Sequence, residues 1–272
     1  MDIECNEKKF TVTIGGDAEF FLQKDGELYP ASKVIPGSKE EPFELENGVC
    51  HPDGLSLEVG FPPAKTPNEF FANILKVIQE VRVKFLEPNG VKFHSDSEVK
   101  VTDIEATDKD LERGCSSEYF AWMNQGESIK QVEKSADEYR FSGFHIHLGF
   151  TEGQKGTPLE VQDMAVLARV MDGFVMKHKL NTTDLRSQQY GGYGAFRCKP
   201  YGIEYRAMDS SVFLQRHKVR KLMSFLNDIP KMFRGAQRHG KSQTYYGINC
   251  TSHTAPLKRT IRDNYRRYSD VS

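Results

Sequence analysis

Phe144-His145-Ile146-His147-Leu148 alternates apolar and polar at every step, and this alternation decides how the rest of the chain is read. A period of two belongs to a β-strand, so both imidazoles point to one face, about 7 Å apart along the strand, and Phe144, Ile146 and Leu148 take the other. The design recurs. In Asp17-Ala18-Glu19-Phe20 the carboxylates share a face opposite Ala18, Phe20 and Leu22. Glu58 opposes Leu55, Leu57 and Val59 in Leu55-Ser56-Leu57-Glu58-Val59, and Glu204 and Arg206 oppose an apolar set in Ile203-Glu204-Tyr205-Arg206-Ala207. Half-solvated strands commonly alternate in this way, but an ordinary wet face mixes Lys, Thr, Ser and Gln. These faces carry Asp, Glu, His and Arg, the side chains that ligate cations and phosphates. Carboxylates about 4 Å apart repel by about 4 kcal/mol per pair at an effective dielectric of 20, so adjoining strands of this kind call for a cation. Hard oxygen donors with one or two imidazoles suit magnesium or manganese, and zinc less well.

Outward from these segments, alternation predicts strands over 10–14, 17–22, 55–59, 144–150 and 203–208. Two amphipathic helices open on the same signal, a Thr cap, Pro at the first helical position and Glu two residues later: Thr66-Pro67 with Glu69, and Thr157-Pro158 with Glu160. Their apolar stripes run from Phe70 to Phe85 and from Val161 to Val175, and a third helix is expected over 211–226. Few helices and separated strand pairs favour an α+β domain, a mostly antiparallel sheet with helices on one face, over a doubly wound sheet. Pro30, Pro36 and Pro42 with Gly37 and Gly48 mark an irregular loop. With no internal repeat or low-complexity linker, one domain over 1–272 is expected.

Hydrophobic residues at 38% and charged residues at 28% describe a globular chain. No apolar run approaches the roughly 20 residues of a membrane span, and MDIECNEKKF lacks a signal-peptide core, so a cytoplasmic protein without membrane or nucleic-acid partners is expected. The five cysteines are scattered and never form C-x-x-C, which points to free thiols. Net charge is −1, yet residues 231–272 carry nine Lys or Arg against Asp263 and Asp270. This segment reads as a solvated basic extension on a core of about 10–230.

Three segments together resemble glutamine synthetases. Asp17-Ala18-Glu19-Phe20-Phe21-Leu22 is similar to their E-x-E-F-F-L strand, Gly143-Phe144-His145-Ile146-His147 to their G-x-H-x-H segment, and Ile203-Glu204-Tyr205-Arg206-Ala207-Met208-Asp209 to their I-E-x-R-x-P-D strand, with Met208 in place of Pro. The order along the chain matches. The short length, with Pro36-Gly37-Ser38-Lys39, His51-Pro52-Asp53-Gly54 and the stretch from Tyr190 to Arg206, resembles more closely the phage and bacterial COOH-NH2 ligase-type amidoligases of the same superfamily. The resemblance implies a glutamine-synthetase-like catalytic domain, a curved sheet with metal ligands on its concave face. It also implies an ATP-dependent carboxylate-amine ligase. Asp17, Glu19, Glu58, His145 and Glu204 would hold magnesium or manganese, with Asp53 a weaker candidate, and His147 would sit by the nucleotide. Arg206, Arg197 and Arg186 would contact the transferred or nucleotide phosphates. Asp17 stands where glutamine synthetases have Glu, a shorter arm with the same charge.

No G-x-x-x-x-G-K-[ST] phosphate loop occurs, so phosphate binding falls to metal and arginine. Gly37-Ser38-Lys39 is too short to be one and reads as a loop able to touch a ligand. Gly191, Gly192 and Gly194 read as a turn near the site, not as a dinucleotide fold. Trp122, Tyr119 and Phe120 read as core packing, with a substrate pocket as the other choice. Two further functional readings stay open: a zinc amide hydrolase using His145 and His147, and a non-catalytic nucleotide-binding or phage-associated protein.

Overall fold

A computed structural model describes residues 2–5, 8–101, 104, 106–111, 118–122, 129–130, 139–151, 160–180, 186–187 and 191–240. The strands among them are β1 (Asp2–Cys5), β2 (Lys8–Phe20), β3 (Leu22–Lys24), β4 (Glu27–Tyr29), β5 (Phe43–Glu44), β6 (Val49–Asp53), β7 (Ser56–Ala64) and β8 (Lys92–Phe93). They continue as β9 (Glu98–Lys100), β10 (Glu118–Phe120), β11 (Ile129–Lys130), β12 (Tyr139–Phe141), β13 (Gly143–Thr151), β14 (Ala195–Lys199) and β15 (Gly202–Asp209). Ten form one sheet in the order β11-β10-β14-β15-β13-β2-β7-β6-β5, with β1 beside β2. Its neighbouring strands pair antiparallel. The α+β class read from the sequence therefore holds at the level of one large antiparallel sheet with helices. β4, β3 and β8 make a small second sheet, and β9 pairs with β12.

Alternation divides the central strands into two faces. Val12, Ile14, Ala18 and Phe20 of β2, Leu57 and Val59 of β7, Phe144, Ile146, Leu148 and Phe150 of β13, and Ile203 and Tyr205 of β15 are all buried in one core. Helices α1 (Pro67–Val81), α3 (Val161–His178) and α5 (Arg216–Gly240) supply Phe70, Ile74, Leu167, Met171, Leu222 and Phe225 to the same core, and α2 (Asp108–Leu111) is a single turn. Each such large side chain contributes about 1.5–3 kcal/mol by leaving water. This layer fixes which way the polar residues of β2, β7, β13 and β15 must face.

Two expected strands, 10–14 and 17–22, are one continuous strand, β2, and Leu22 starts β3. Gly15-Gly16 does not turn the chain but carries it through a register shift against β7. A Cβ on Gly16 would lie 2.4 Å from the His145 carbonyl oxygen, so glycine is what permits β2 and β13 to approach there.

The Thr66 cap is formed, its Oγ1 accepting from Glu69 N at 3.2 Å. α1 then widens into a π-helical turn at Arg82–Leu86 instead of running evenly to Phe85. Thr157 and Pro158 lie outside the described residues, and Glu160 is the extended residue before α3, its N–H donating to Asp163 at 3.3 Å. The helix expected over 211–226 is a single turn, α4 (Ser211–Leu214), followed after Gln215 by α5. α5 passes through Pro230 and buries Met232 and Phe233, so the core does not stop at 230. Residues 241–272 of the basic extension lie outside the described set. Among the described residues no helix is long and apolar enough to cross a membrane.

Candidate functional site

The polar face of the sheet is organised by strand register. His51 of β6 lies opposite Glu58 of β7, and Glu58 lies opposite Glu19 of β2. Asp17 is opposite His145 of β13, and His147 is opposite Glu204 of β15, which is opposite Arg197 of β14. A β-bulge between β13 and β15 places Arg206 and Ala207 beside His145, with Arg206 on the polar face that alternation gives it next to Glu204. Asp17, Glu19, Glu58, His145, Glu204, Arg197 and Arg206 thereby line one cleft, which encloses about 840 Å³ of space, part of it open to solvent.

One half of the cleft is neutralised by the chain itself. Glu204, 2% exposed, is 2.6 Å from Lys199 Nζ, 3.3 Å from Arg197 Nη1 and 3.8 Å from His145 Nδ1, and it accepts from Arg206 Nη1. Burial pushes its carboxyl up, but His145, Arg206 and Arg197 outweigh it and hold the group down at about 2. Arg206 is gripped from its other edge by Glu118, whose Oε2 accepts from Nε at 2.9 Å. Asp17 accepts from His145 Nδ1 at 2.5 Å and lies 2.9 Å from His147 Nε2. Burial raises the Asp17 carboxyl as well, and the two histidines together hold it well below the usual carboxylate range.

The other half is dominated by carboxylates. One oxygen each of Glu19, Asp53 and Glu58 lies within 4.8 Å of the other two. Burial, followed by the charges of Asp17, Glu19 and Asp53, pushes the Glu58 carboxyl well above its ordinary range. Lys39, from the Gly37-Ser38-Lys39 loop, reaches the rim and pairs with Asp53 Oδ2 at 3.1 Å. These residues fit a divalent cation on two observations. Three half-buried carboxylates converge, and His145 Nε2 is buried with no hydrogen-bond partner among the described residues while Nδ1 faces Asp17, which leaves Nε2 able to ligate a cation whenever the ring is neutral. Gly143 makes room for it: a Cβ there would lie 2.7 Å from His145 Nε2 and 3.4 Å from Glu19 Oε2, while Gly143 N donates to that same Glu19 oxygen at 2.7 Å.

Other expected residues stand elsewhere. His147 is not on the cleft lining; its Nδ1 pairs with the Tyr201 hydroxyl at 2.9 Å. Arg186 lies behind the site, 1% exposed, donating to the carbonyls of Gly191 at 3.0 Å and Arg206 at 3.3 Å, so it shapes the backbone under Arg206. Trp122, Tyr119 and Phe120 do not line the cleft. Trp122 donates to Asp172, Tyr119 stacks on Phe196 at 5.4 Å, and Phe120 pairs with Ala195, which is the packing role. Asp172 was hidden in the apolar stripe of α3. Fully buried, it is pushed up to about 7, while hydrogen bonds from Tyr205, Gly194 and Trp122 act against burial. Cys50 and Cys198 are free thiols.

Sequence reading missed Glu118, Lys199 and three aromatic residues of the cleft lining, Phe21, Tyr139 and Phe141. Arg197-Cys198-Lys199 alternates, but over too few residues before Pro200 to stand out. A scan of the chain against protein-family models finds no match, and a search of curated proteins also finds none.

Proposed function

We propose that this chain is an ATP-dependent carboxylate-amine ligase whose cleft holds magnesium or manganese at Glu19, Asp53 and Glu58, beside Asp17 and His145, while Glu204 anchors Arg197, Lys199 and Arg206. The observation that carries this reading is a single cleft with two unlike halves, an acidic half at Glu19, Asp53 and Glu58 with Lys39 on Asp53 at its rim, and a basic half where Arg197, Lys199 and Arg206 surround Glu204. A nucleoside triphosphate needs both, since carboxylates hold its cations while arginines and lysines meet its phosphate oxygens. When bound, the cations would supply charge neutralisation at the transferring phosphoryl group.

The chain's own residues have distinct tasks. Arg197 and Lys199, on the partly open strand β14, are placed to take phosphate oxygens. Arg206, held by Glu118, keeps its guanidinium fixed at the buried floor and needs no reorganisation when charge develops. Phe21, Tyr139 and Phe141 offer an apolar wall to the carbon skeleton of the acid and shield a reactive intermediate from water. An oxygen of the substrate carboxylate attacks the γ-phosphorus, the bond to the β–γ bridging oxygen breaks, and ADP leaves. The amine nitrogen then attacks the acyl carbon, inorganic phosphate departs with the electron pair of the acyl–oxygen bond, and the nitrogen loses a proton to solvent.

The test is release of ADP and inorganic phosphate from ATP and magnesium in the presence of a panel of acids and amines. Release that requires both an acid and an amine supports a ligase. Amide cleavage sustained by zinc without nucleotide would replace it with a hydrolase, and nucleotide binding without turnover would leave a binding protein.

A further inference from the structure

Lys39 has no task in the chemistry above, yet the fold presents it to the cleft on a fixed support. The loop that carries it closes on itself: Ser38 N donates to Glu41 O at 3.0 Å, Glu41 N donates to Ser38 Oγ at 3.2 Å, and Gly37 bridges to Pro42. Gly37 has φ +87°, and a Cβ there would lie 2.8 Å from both Glu41 O and Phe43 N, so glycine is what lets the turn close this tightly. Ile35 and Leu45 bury the two ends of the loop in the core. With the backbone held in this way, the part free to move is the Lys39 side chain, a half-exposed point charge on a flexible four-carbon stem.

Lys39 lines the cleft, and its Nζ donates to Asp53 Oδ2 at 3.1 Å. Burial lowers the Lys39 ammonium, but the charges of Asp53, Glu58 and Glu19 outweigh it and raise the group, so all three carboxylates act on this one cation. A rim pair with so exposed a partner is weak and readily exchanged. A divalent cation at Glu19, Asp53 and Glu58 would spend the negative charge that holds Lys39 and would repel its ammonium. Phosphate oxygens carried by that cation would then offer the ammonium a new anionic partner at the same place.

We propose that Lys39 contacts the nucleotide by trading partners: it pairs with Asp53 until a cation takes that carboxylate, then meets the phosphate oxygens that arrive with the cation. The proposal rests on the ligase reading and adds a preference to it, for the metal–nucleotide complex over the bare cation. Bare Mn²⁺ must displace Lys39 without giving it another partner, whereas Mn²⁺–ATP supplies one. A lysine that served only to keep the rim solvated would affect neither.

Calorimetric titration of bare Mn²⁺ and of Mn²⁺–ATP into the unaltered protein, Lys39→Met and Lys39→Arg provides the test. The Lys39 side chain makes none of the bonds that close its loop, so both variants are expected to fold. Lys39→Met should bind bare Mn²⁺ about three- to tenfold more tightly and Mn²⁺–ATP about three- to tenfold more weakly. Lys39→Arg keeps the charge and should shift each affinity less than Lys39→Met does. The opposite signs are the signature. Two unchanged affinities in Lys39→Met would reduce Lys39 to a solvated rim charge. Tighter bare Mn²⁺ with Mn²⁺–ATP unchanged or also tighter would reduce it to a screen for the carboxylates, and weaker bare Mn²⁺ would make it a support of the site. Each of these overturns the proposal while leaving the cation site standing. Failure of the unaltered protein to bind Mn²⁺–ATP would instead overturn the ligase reading, and the proposal with it.

Discussion

Glu204 and Glu58 stand on the same face of one sheet, and burial pushes both carboxyls the same way, yet they end at opposite extremes. Around Glu204 are His145, Arg206, Arg197 and Lys199, and the group is held down at about 2. Around Glu58 are Asp17, Glu19 and Asp53, with Lys39 the opposing cation, and the group is driven well above its ordinary range. Desolvation therefore does not decide the charge state; the sign of the neighbours does. The chain surrounds Glu204 with Arg197, Lys199 and Arg206, whereas around Glu58 it gathers carboxylates with Lys39 on Asp53, the arrangement on which the proposed cation site rests.

The largest effect is expected on the half around Glu204. Arg206→Met removes the shared partner of Glu118, 1% exposed, and Glu204, 2% exposed. Two buried carboxylates left short of a partner should cost about 3–5 kcal/mol, read as a loss of unfolding free energy in urea. A loss below about 1 kcal/mol would mean that these charges are solvated and that the two halves are not different.

The half around Glu58 should respond to pH with the opposite sign. Glu204 has a depressed carboxyl in the fold, so its contribution is present above the ordinary value of 4.5 and is lost as pH falls toward about 2. Glu58 has a raised one, so its contribution is full below 4.5 and is lost as pH rises through the elevated value. In chelator at neutral pH, Glu58→Gln should therefore stabilise the protein, on the order of 1 kcal/mol or a few degrees in Tm. Saturating magnesium or manganese should reverse the sign. A destabilised Glu58→Gln in chelator would show that the acidic half is already compensated.

Thr66→Ala serves as the smallest, local perturbation. It removes the acceptor of Glu69 N and should cost about 1 kcal/mol with no change in cation dependence, since α1 lies on the apolar face. Calorimetric cation affinity altered in Thr66→Ala would show that the two faces are coupled.

Much of this site was legible because four strands repeat a period of two, and one apolar face fixes the other. Asp17, Glu19, Glu58, His145, Glu204 and Arg206 could be assigned to one face before any contact was known. Glu118 could not, because it sits in a three-residue strand, β10, with no periodicity to mark it, and only the register with β14 brings it near Arg206. His51 entered the sequence reading only within His51-Pro52-Asp53-Gly54, a stretch of resemblance that gave it no role, because Pro52 interrupts the alternation although His51, Pro52 and Asp53 all lie in β6. The basic extension was placed by charge at 231, whereas Met232 and Phe233 are held by the apolar stripe of α5, which charge counting does not see. Arg186 carries the charge expected of a phosphate ligand, yet local backbone geometry directs it to carbonyl oxygens.

The most direct test of the acidic half is isothermal titration of ATP into the protein at neutral pH, once with magnesium or manganese and once with chelator. Phosphates approaching Glu19, Asp53 and Glu58 without a cation meet like charge, so binding is expected only with metal present. Equal ATP affinity in chelator would contradict the claim that this half of the cleft is completed by a divalent cation.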